Sequence, residues 1–380
     1  MYPIIIMRNT LFVLILLFSL VGFSQNSIQN NIVGVNHTIS SKILKENRRI
    51  QVYLPDGYLN SNKKYPVIYL LDGQRYFLYG VTLDRLLKQF KKTPDFIVVG
   101  IHFNESTRNT TLFAGSKDFS NYIENEVVPF VNKTYKVSNK RLLFGWEFSG
   151  GFGLATLMSK PGLFDGYILS SPYPLTNKID AFKEFADKHN KLNTFLYFSD
   201  AGEAELPVTE GTKKLANFLK KNTTGLRWNY KSLKGEEHIS TKYSTLHHGI
   251  KEYFENYVQL NFKDLNEFYS KGGVASVRAY YEKRSRLYNI STNLNPSTRY
   301  NYIRLALRAD NYDEFTKLSK EFDLKDLVNN RLRPSLLCAF GEYYIKNNKK
   351  KEAKNFYKIL KKRFPKSKRV KEGLQKIKNL

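Results

Sequence analysis

The stretch Arg141-Leu-Leu-Phe-Gly-Trp-Glu-Phe-Ser-Gly-Gly-Phe-Gly153 decides how the rest of this chain is interpreted. Its first four residues are a short, mostly apolar run that predicts a strand, and the glycines that follow mark a sharp turn into a helix. Such a turn needs small residues beside its tip, because the backbone there is crowded. The tip residue, Glu147, would stand at the N-terminus of the helix, where backbone N–H groups face a reacting carbonyl.

Around this stretch, short apolar runs alternate with amphipathic segments. The strand-like runs cover residues 67–71, 96–101, 141–144, 167–170, 195–199 and 228–233, and the helix-like segments cover residues 83–90, 118–131, 150–158, 211–220 and 244–258. Continuous apolar strands separated by helices are typical of parallel strands buried on both faces. Two earlier runs, 37–44 and 49–54, predict antiparallel strands that precede the parallel ones. The pattern predicts an α/β protein with a doubly wound, mostly parallel sheet.

The pattern changes near residue 262, after which no strand signal remains. The segments 274–288, 297–309, 313–322, 334–346 and 350–364 have helical periodicity. The last two resemble a tetratricopeptide repeat, since Gly341, Ala353 and Pro365 fall at its small-residue and closing positions. An irregular helical cap on the sheet domain is the alternative. We therefore expect a signal peptide at residues 1–24, a sheet domain at 30–260 and a helical, tetratricopeptide-like region at 263–380.

The N-terminus has the pattern of a secretory signal. Arg8 supplies a positive charge, residues 11–23 are apolar, and the small residues Gly22 and Ser24 precede a cleavage point before Gln25. The run is short for a membrane span, although a retained anchor is the alternative. We expect a periplasmic or secreted protein with no stable membrane span after cleavage. The only cysteine, Cys338, excludes an intramolecular disulfide and is expected to be a small buried hydrophobe.

The formal net charge of +27 could indicate an anionic partner such as nucleic acid. However, the excess is spread along the chain, and no DNA- or RNA-binding motif accompanies it. We therefore expect no nucleic-acid partner.

Several motifs, taken in order, resemble the putative-esterase family of α/β-hydrolases, which includes siderophore and feruloyl esterases. Its strand and oxyanion loop resemble Tyr65-Pro-Val-Ile-Tyr-Leu-Leu-Asp-Gly73, and its next strand and loop resemble Val98-Val-Gly-Ile101 followed by Arg108. Residues 141–154 resemble its nucleophile elbow, 160–164 the loop after the elbow helix, and Gly235-Glu-Glu-His238 its histidine loop. The resemblance implies the α/β-hydrolase fold and the hydrolysis of ester bonds.

The departure from the family lies at the centre of the site. In the Gly-x-Ser-x-Gly elbow, alignment on Gly145 places Glu147 at the serine and Ser149 at the second glycine. A shifted register would make Ser149 the nucleophile, but it would put Glu147 where a glycine must relieve crowding. A second departure is Thr110-Thr111-Leu112-Phe113, where the family usually carries an acidic residue and a proline.

The remaining parts of the family's machinery have counterparts in the expected chain order. The resemblance assigns the histidine to His238 and the acid to Glu205, with Glu203 and Asp200 as alternatives. The backbone N–H groups of Phe148 and Gln74 would form the oxyanion hole. No cofactor and no metal are implied.

Three roles for Glu147 remain open from the sequence. It could be an inert substitute that fills the oxyanion hole, a carboxylate nucleophile, or a base on water that could also hold a cation with Glu205 and His238. The function is accordingly that of an exported hydrolase related to carboxylic-ester hydrolases of siderophores or carbohydrates. The alternative is an inactive hydrolase-fold protein that binds a small-molecule ligand or, through its C-terminal helices, a protein partner.

The signal pattern predicts that the mature protein begins at Gln25. Mass spectrometry of the protein from the exporting cell should find this N-terminus, because a signal peptidase cleaves after the small residue Ser24. A mature chain that begins at Met1 or Met7 would contradict the prediction.

Overall fold

The computed structural model describes residues 32–222, 224–329 and 332–378. The predicted signal peptide, residues 1–24, lies outside these ranges. No helix within them combines the length and the apolar composition of a membrane span.

In the described residues, one eight-stranded sheet organises the first two thirds of the chain. Its strands are β1 (Val35–Ser41), β2 (Glu46–Tyr53), β3 (Tyr65–Leu71), β4 (Ile97–Ile101), β5 (Val137–Trp146), β6 (Gly166–Ser170), β7 (Thr194–Asp200) and β8 (Leu226–Ser232). They are arranged in the order β1-β2-β4-β3-β5-β6-β7-β8. The strands from β3 onward pair in parallel, whereas β1 pairs with β2, and β2 with β4, in antiparallel fashion. The prediction of a doubly wound, mostly parallel α/β-hydrolase sheet is confirmed.

The central strands are mostly apolar because helices cover both faces of the sheet. Every residue of β3, β4, β6 and β7 is buried. The helices of this part are α1 (Gly73–Gln89), α2 (Arg108–Leu112), α3 (Ser116–Tyr122), α4 (Val128–Thr134), α5 (Phe148–Ser159), α6 (Ile179–Lys188), α7 (Leu206–Lys221) and α8 (Thr241–Tyr253). All of them follow strands at the carboxyl edge of the sheet or lie in the crossovers between strands.

Helix α1 begins ten residues earlier than the helical periodicity predicts, directly after β3. The early start depends on close backbone packing, since a Cβ on Gly73 would lie 2.5 Å from the carbonyl carbon of Gly100. Periodicity does not record such an approach between a glycine at a helix start and a glycine of a neighbouring strand. Helix α6 was not predicted, although it buries Phe182 and Phe185 on one face.

Beyond residue 262 the described residues form helices. These are α9 (Leu265–Ser270), α10 (Gly273–Tyr288), α11 (Pro296–Arg308), α12 (Tyr312–Glu321), α13 (Leu324–Asn329), α14 (Pro334–Lys346), α15 (Lys350–Arg363) and α16 (Lys368–Lys378). They share an apolar core of their own, which includes Phe268, Tyr302, Phe340 and Cys338. Cys338 is 1% exposed, and burial raises the pKa of its thiol to about 11. The tetratricopeptide-like character and the boundary near residue 262 stay predictions.

One tyrosine links the last three helices. The ring of Tyr357 on α15 is fully buried between Gly341 of α14 and Gly373 of α16. A Cβ on Gly341 would lie 2.5 Å from this ring, and a Cβ on Gly373 would lie 2.1 Å from it. The Tyr357 hydroxyl also donates a hydrogen bond of 3.3 Å to the carbonyl of Cys338. The two glycines therefore allow the three helices to approach one another around a single ring.

We expect Gly373→Ala to lower the free energy of unfolding by about 1–3 kcal/mol, because the added methyl group overlaps a ring that cannot move away. Urea unfolding of the full chain measures the change, and Lys371→Ala on the exposed face of α16 is the control. If steric overlap is the cause, Tyr357→Leu should lower the free energy of unfolding less in the Gly373→Ala variant than in the wild type. Strictly additive effects would contradict the explanation.

Candidate active site

Glu147 lies at the tip of a strained turn between β5 and α5. Its backbone has φ 57° and ψ −118°, a conformation that residues other than glycine rarely adopt. Hydrogen bonds from Glu147 N to the Ser170 carbonyl, and from the Tyr173 and Gly151 N–H groups to the Glu147 carbonyl, hold this conformation at 2.9–3.0 Å. Gly145 is required beside the turn, because a Cβ there would lie 2.3 Å from the Ser149 carbonyl oxygen. The sequence-based register therefore matches the backbone.

Ser149 lies behind the turn and is fully buried. Its hydroxyl accepts a hydrogen bond of 2.9 Å from Trp146 N and lies 3.0 Å from an Asp72 carboxylate oxygen and 2.8 Å from the Trp146 carbonyl. A hydroxyl enclosed by these partners cannot meet a ligand at the tip of the turn. The geometry does not support the alternative in which Ser149 is the nucleophile.

A buried ion pair supports the turn from below. Asp72 follows β3 with φ 54° and is fully buried, and Arg108 of α2 binds both of its carboxylate oxygens at 2.5 and 2.9 Å. Another nitrogen of Arg108 lies 3.7 Å from the Glu147 carboxylate. Burial alone would lower the pKa of Arg108, but hydrogen bonding to Asp72 and the charges of Asp72 and Glu147 raise it. The guanidinium is therefore a permanent positive charge beneath the site.

His238 and Glu205 come together at the carboxyl edge of the sheet. The Nδ1 atom of His238 forms a short hydrogen bond with Oε2 of Glu205, whose side chain is 4% exposed. The other oxygen of Glu205 accepts hydrogen bonds from the Ser171 hydroxyl at 2.8 Å and from the N–H group of Ala201. The Nε2 atom of His238 faces Glu147, with 4.0 Å between it and Oε1. The structure thus brings Glu147, Glu205 and His238 together.

The two alternative acids have other positions. Asp200 is fully buried at the end of β7, where its carboxylate accepts hydrogen bonds from Tyr230, Ser232, Thr212 and the N–H group of Gly202. Glu203 is exposed on the short helical turn before α7 and makes no hydrogen bond to another described residue. Neither carboxylate contacts His238, so only Glu205 has the geometry of the acid.

The two predicted oxyanion donors stand at the starts of two helices. Phe148 is the first residue of α5, and Gln74 is the second residue of α1. The side-chain oxygen of Gln74 accepts a hydrogen bond of 3.2 Å from the N–H group of Phe103, which links the start of α1 to the segment after β4. Helix N-termini favour negative charge, so an oxyanion or the Glu147 carboxylate is stabilised at this place.

Lys242 and Trp146 are site residues that the sequence did not indicate. The Lys242 ammonium lies 4.3 Å from the centre of the Trp146 ring, and this ring packs 4.9 Å from the His238 ring. The Trp146 indole N–H also donates to the His238 carbonyl at 3.2 Å. Lys242 is 8% exposed, and its burial and the charge of Arg75 lower its pKa, against the opposing charges of Glu147 and Asp72. A lysine on an amphipathic helix is usually a surface residue, so the sequence pattern did not indicate that Lys242 belongs to the site.

Three acidic and basic side chains, Glu147, Glu205 and His238, lie together at this site. His238, which is bound to Glu205, and the N-terminus of α5 adjoin the tip of the turn, and the tip carries a carboxylate. The distance of 4.0 Å between His238 and Glu147 is too long for a hydrogen bond. Among the residues that the structure describes, no group of three or more His, Cys, Asp or Glu side chains is arranged to hold a metal ion.

Two known proteins are similar to this chain in sequence. The uncharacterized protein YjcH of Bacillus subtilis (strain 168) is 30% identical over 199 residues, which are 48% of this chain and 81% of that protein. The ferri-bacillibactin esterase BesA of the same organism is 26% identical over 219 residues, 46% of this chain and 74% of the relative.

Two solved structures show the same fold. An uncharacterised protein from Capnocytophaga ochracea DSM 7271 matches with a TM-score of 0.62 and 16% identity, over 91% of this chain and all of that one (100%). An IroE-like serine hydrolase from Shewanella oneidensis matches with a TM-score of 0.57 and 21% identity, over 76% of this chain and 99% of that chain.

The family model described as "Putative esterase" matches residues 41–241, a span that contains the strained turn, Glu205 and His238. The resemblance inferred from the motifs is confirmed, and this chain belongs to the putative esterase family.

Proposed function

We propose that this protein is an exported esterase-fold protein that binds a small ester-bearing ligand and does not form an acyl-enzyme on serine. The observation that carries the proposal is Glu147 at the tip of the turn, between His238 Nε2 at 4.0 Å and the Arg108 guanidinium at 3.7 Å. The ligand class follows from relatives, one of which is named a ferri-bacillibactin esterase. Esters of siderophores or carbohydrates are the candidates.

The electrostatics of the site support a carboxylate that stays in place. A glutamate at the start of α5 is stabilised by the helix dipole, by the fixed positive charge of Arg108 and by the neighbouring histidine. Its side chain is 27% exposed, and its carboxylate lies near His238 and Arg108 at the tip of the turn, where a serine reaction needs a hydroxyl group. The fold therefore accepts Glu147, and its carboxylate takes the position of the hydroxyl nucleophile of a serine reaction.

A second candidate is hydrolysis through Glu147 itself, and the intact pair of His238 and Glu205 favours it. In that reaction a Glu147 oxygen attacks a carbon atom of the ligand and the leaving group departs with the bonding electrons. His238 then removes a proton from water, which attacks the resulting ester of Glu147 and regenerates the carboxylate. Attack on an acyl carbon would give an anhydride, which is a harder product to form than an ester of an alkyl carbon.

We expect Glu147→Ser to raise the hydrolysis of a nitrophenyl ester at least about a hundredfold above wild type, since it restores the one missing member of a set that acts as a unit. The variant should also react with a fluorophosphonate, which requires an activated serine. Wild-type protein should remain near background in both assays.

Three variants control this experiment. Glu147→Ala removes the carboxylate without adding a nucleophile, and Glu147→Ser/His238→Ala removes the base. Glu147→Ser/Ser149→Ala tests whether Ser149 is the nucleophile. Only this last variant should keep the activity gained by Glu147→Ser. Fluorophosphonate labelling of wild-type Ser149 would refute the register. Hydrolysis that is faster in wild type than in Glu147→Ala would favour the second candidate.

We also expect wild-type protein to bind ferri-bacillibactin and to release it intact. Fluorescence quenching of Trp146 measures the binding, because this ring packs against His238 inside the site, and mass spectrometry measures the ligand afterwards. Trp228, the other tryptophan of the chain, lies on β8, and Trp228→Phe isolates the signal of Trp146. Cleaved ligand would contradict the binding function, and unchanged fluorescence would contradict this ligand class.

A further inference from the structure

A basic cleft lies at the edge of the sheet opposite the catalytic residues. It has a volume of about 540 Å³ and lies between the amino ends of β3 and β5 and the end of α10. The candidate catalytic residues follow the carboxyl ends of the same strands. Since a seven-residue strand spans about 20 Å, the cleft is a separate site and not an extension of the first one.

Four cations line this cleft: Lys63, Lys64, Lys140 and Arg286. Within the part of the chain that the structure describes, none of them has a carboxylate within ion-pair distance. The one acidic residue in the lining, Asp95, is paired with Lys88 at 3.3 Å. Four unpaired positive charges around one cavity create a local field that attracts anions, beyond the diffuse effect of the net charge.

Neutral polar groups alternate with these cations. Asn62, Asn139 and Asn289 line the cleft, and their side-chain amides make no hydrogen bond to another described residue. Each amide offers both donors and an acceptor, which is the combination that binds sugar hydroxyl groups. The cleft thus presents charge for acidic groups and amides for hydroxyls along the same walls.

The aromatic residues of the cleft argue against nucleic acid. Tyr257 and Tyr288 pack edge to face, with 5.2 Å between ring centres. The Arg284 guanidinium lies 4.8 Å from the centre of Tyr257, and the Lys140 ammonium lies 6.0 Å from the centre of Tyr288. Ring faces covered by neighbouring rings and cations provide no platform on which bases could stack, as single-strand binding requires.

A second cavity continues the cleft. It has a volume of about 280 Å³, shares Lys140 and Tyr288 with the first cavity, and adds Lys283 and the amides of Asn193 and Asn256. Its carboxylate, Asp165, accepts a hydrogen bond of 2.8 Å from the N–H group of Arg141, and its other cation, Arg227, is paired with Glu255. The same chemistry therefore extends past Tyr288, which suits an elongated ligand better than a single small anion.

We propose that this cleft is a second binding site that takes an acidic oligosaccharide, with carboxylate or sulfate groups on Lys63, Lys64, Lys140 and Arg286 and hydroxyl groups on the asparagine amides. The site does not depend on catalysis at Glu147. It is built from both parts of the chain, since Arg286 and Asn289 come from α10 and its end, whereas the other groups come from the sheet domain.

The test uses the full mature chain and measures binding of an oligogalacturonate hexamer by calorimetry. A variant with Lys63, Lys64, Lys140 and Arg286 all changed to Gln should bind at least about tenfold more weakly, since it removes the four positive charges that would pair with acidic groups of the ligand. The matched control changes Lys354, Lys358, Lys361 and Lys362 of α15 to Gln, which removes the same charge from a solvated helix face. This control should bind as the wild type does.

Further arms separate the sources of the anion and the rival ligands. A heparin-derived hexasaccharide tests sulfate against carboxylate, and tighter binding of either acidic sugar through the cleft supports the proposal. Three outcomes would overturn the proposal. They are equally tight binding of a neutral dextran oligomer, an equal loss of affinity in both quadruple variants, and tighter binding of single-stranded DNA or polyglutamate. Thermal melting checks folding, and Asn139→Ala with Asn289→Ala, which leaves the charge unchanged, should also weaken sugar binding.

Discussion

The buried ion pair between Asp72 and Arg108 is the interaction on which the site depends. Asp72 has no exposure to solvent, so its charge is tolerated only because Arg108 binds both carboxylate oxygens and Ser149 adds a hydroxyl. Removing one partner of such a pair typically costs about 3–5 kcal/mol. The pair joins the end of β3 to helix α2, and the Ser149 hydroxyl links it to the elbow helix α5. The end of β3 leads into the predicted oxyanion loop, α2 carries Arg108, and α5 begins directly after Glu147.

A second polar network supports the histidine from behind. The Ser171 hydroxyl lies 2.8 Å from both Glu205 and the Thr241 hydroxyl, and Thr241 in turn donates to the His238 carbonyl at 3.0 Å. All the partners of this network are buried except His238, which is partly exposed. Because buried hydroxyl groups are costly without hydrogen bonds, the network fixes one orientation of the acid and the histidine. The network thus holds His238 with its Nε2 atom toward the carboxylate of Glu147.

The sequence predicted those parts of the fold and site that leave a local signal. Continuous apolar runs predicted the parallel strands, and the glycines around residue 147 predicted the turn. Both features depend on residues that are neighbours along the chain. The order of Glu147, Glu205 and His238 followed from the family resemblance. The contacts of Ser149 with Asp72 and of Lys242 with Trp146 could not be predicted, since each joins residues that are distant in sequence and depends on side-chain direction. The early start of α1 was not predicted for the same reason, because it depends on the close approach of Gly73 to Gly100 of β4.

The backbone conformation at Glu147 has a consequence for the entropy of binding. A residue other than glycine at φ 57° and ψ −118° costs about 1–3 kcal/mol, and this cost is met when the chain folds, before any ligand is present. The backbone that carries the carboxylate is therefore already immobilised, and a ligand that contacts Glu147 need not order it. Preorganisation of this kind strengthens binding without any additional contact. In a serine hydrolase such a strained turn contributes to the reaction rate. In this protein it would contribute to the affinity for a ligand that contacts Glu147.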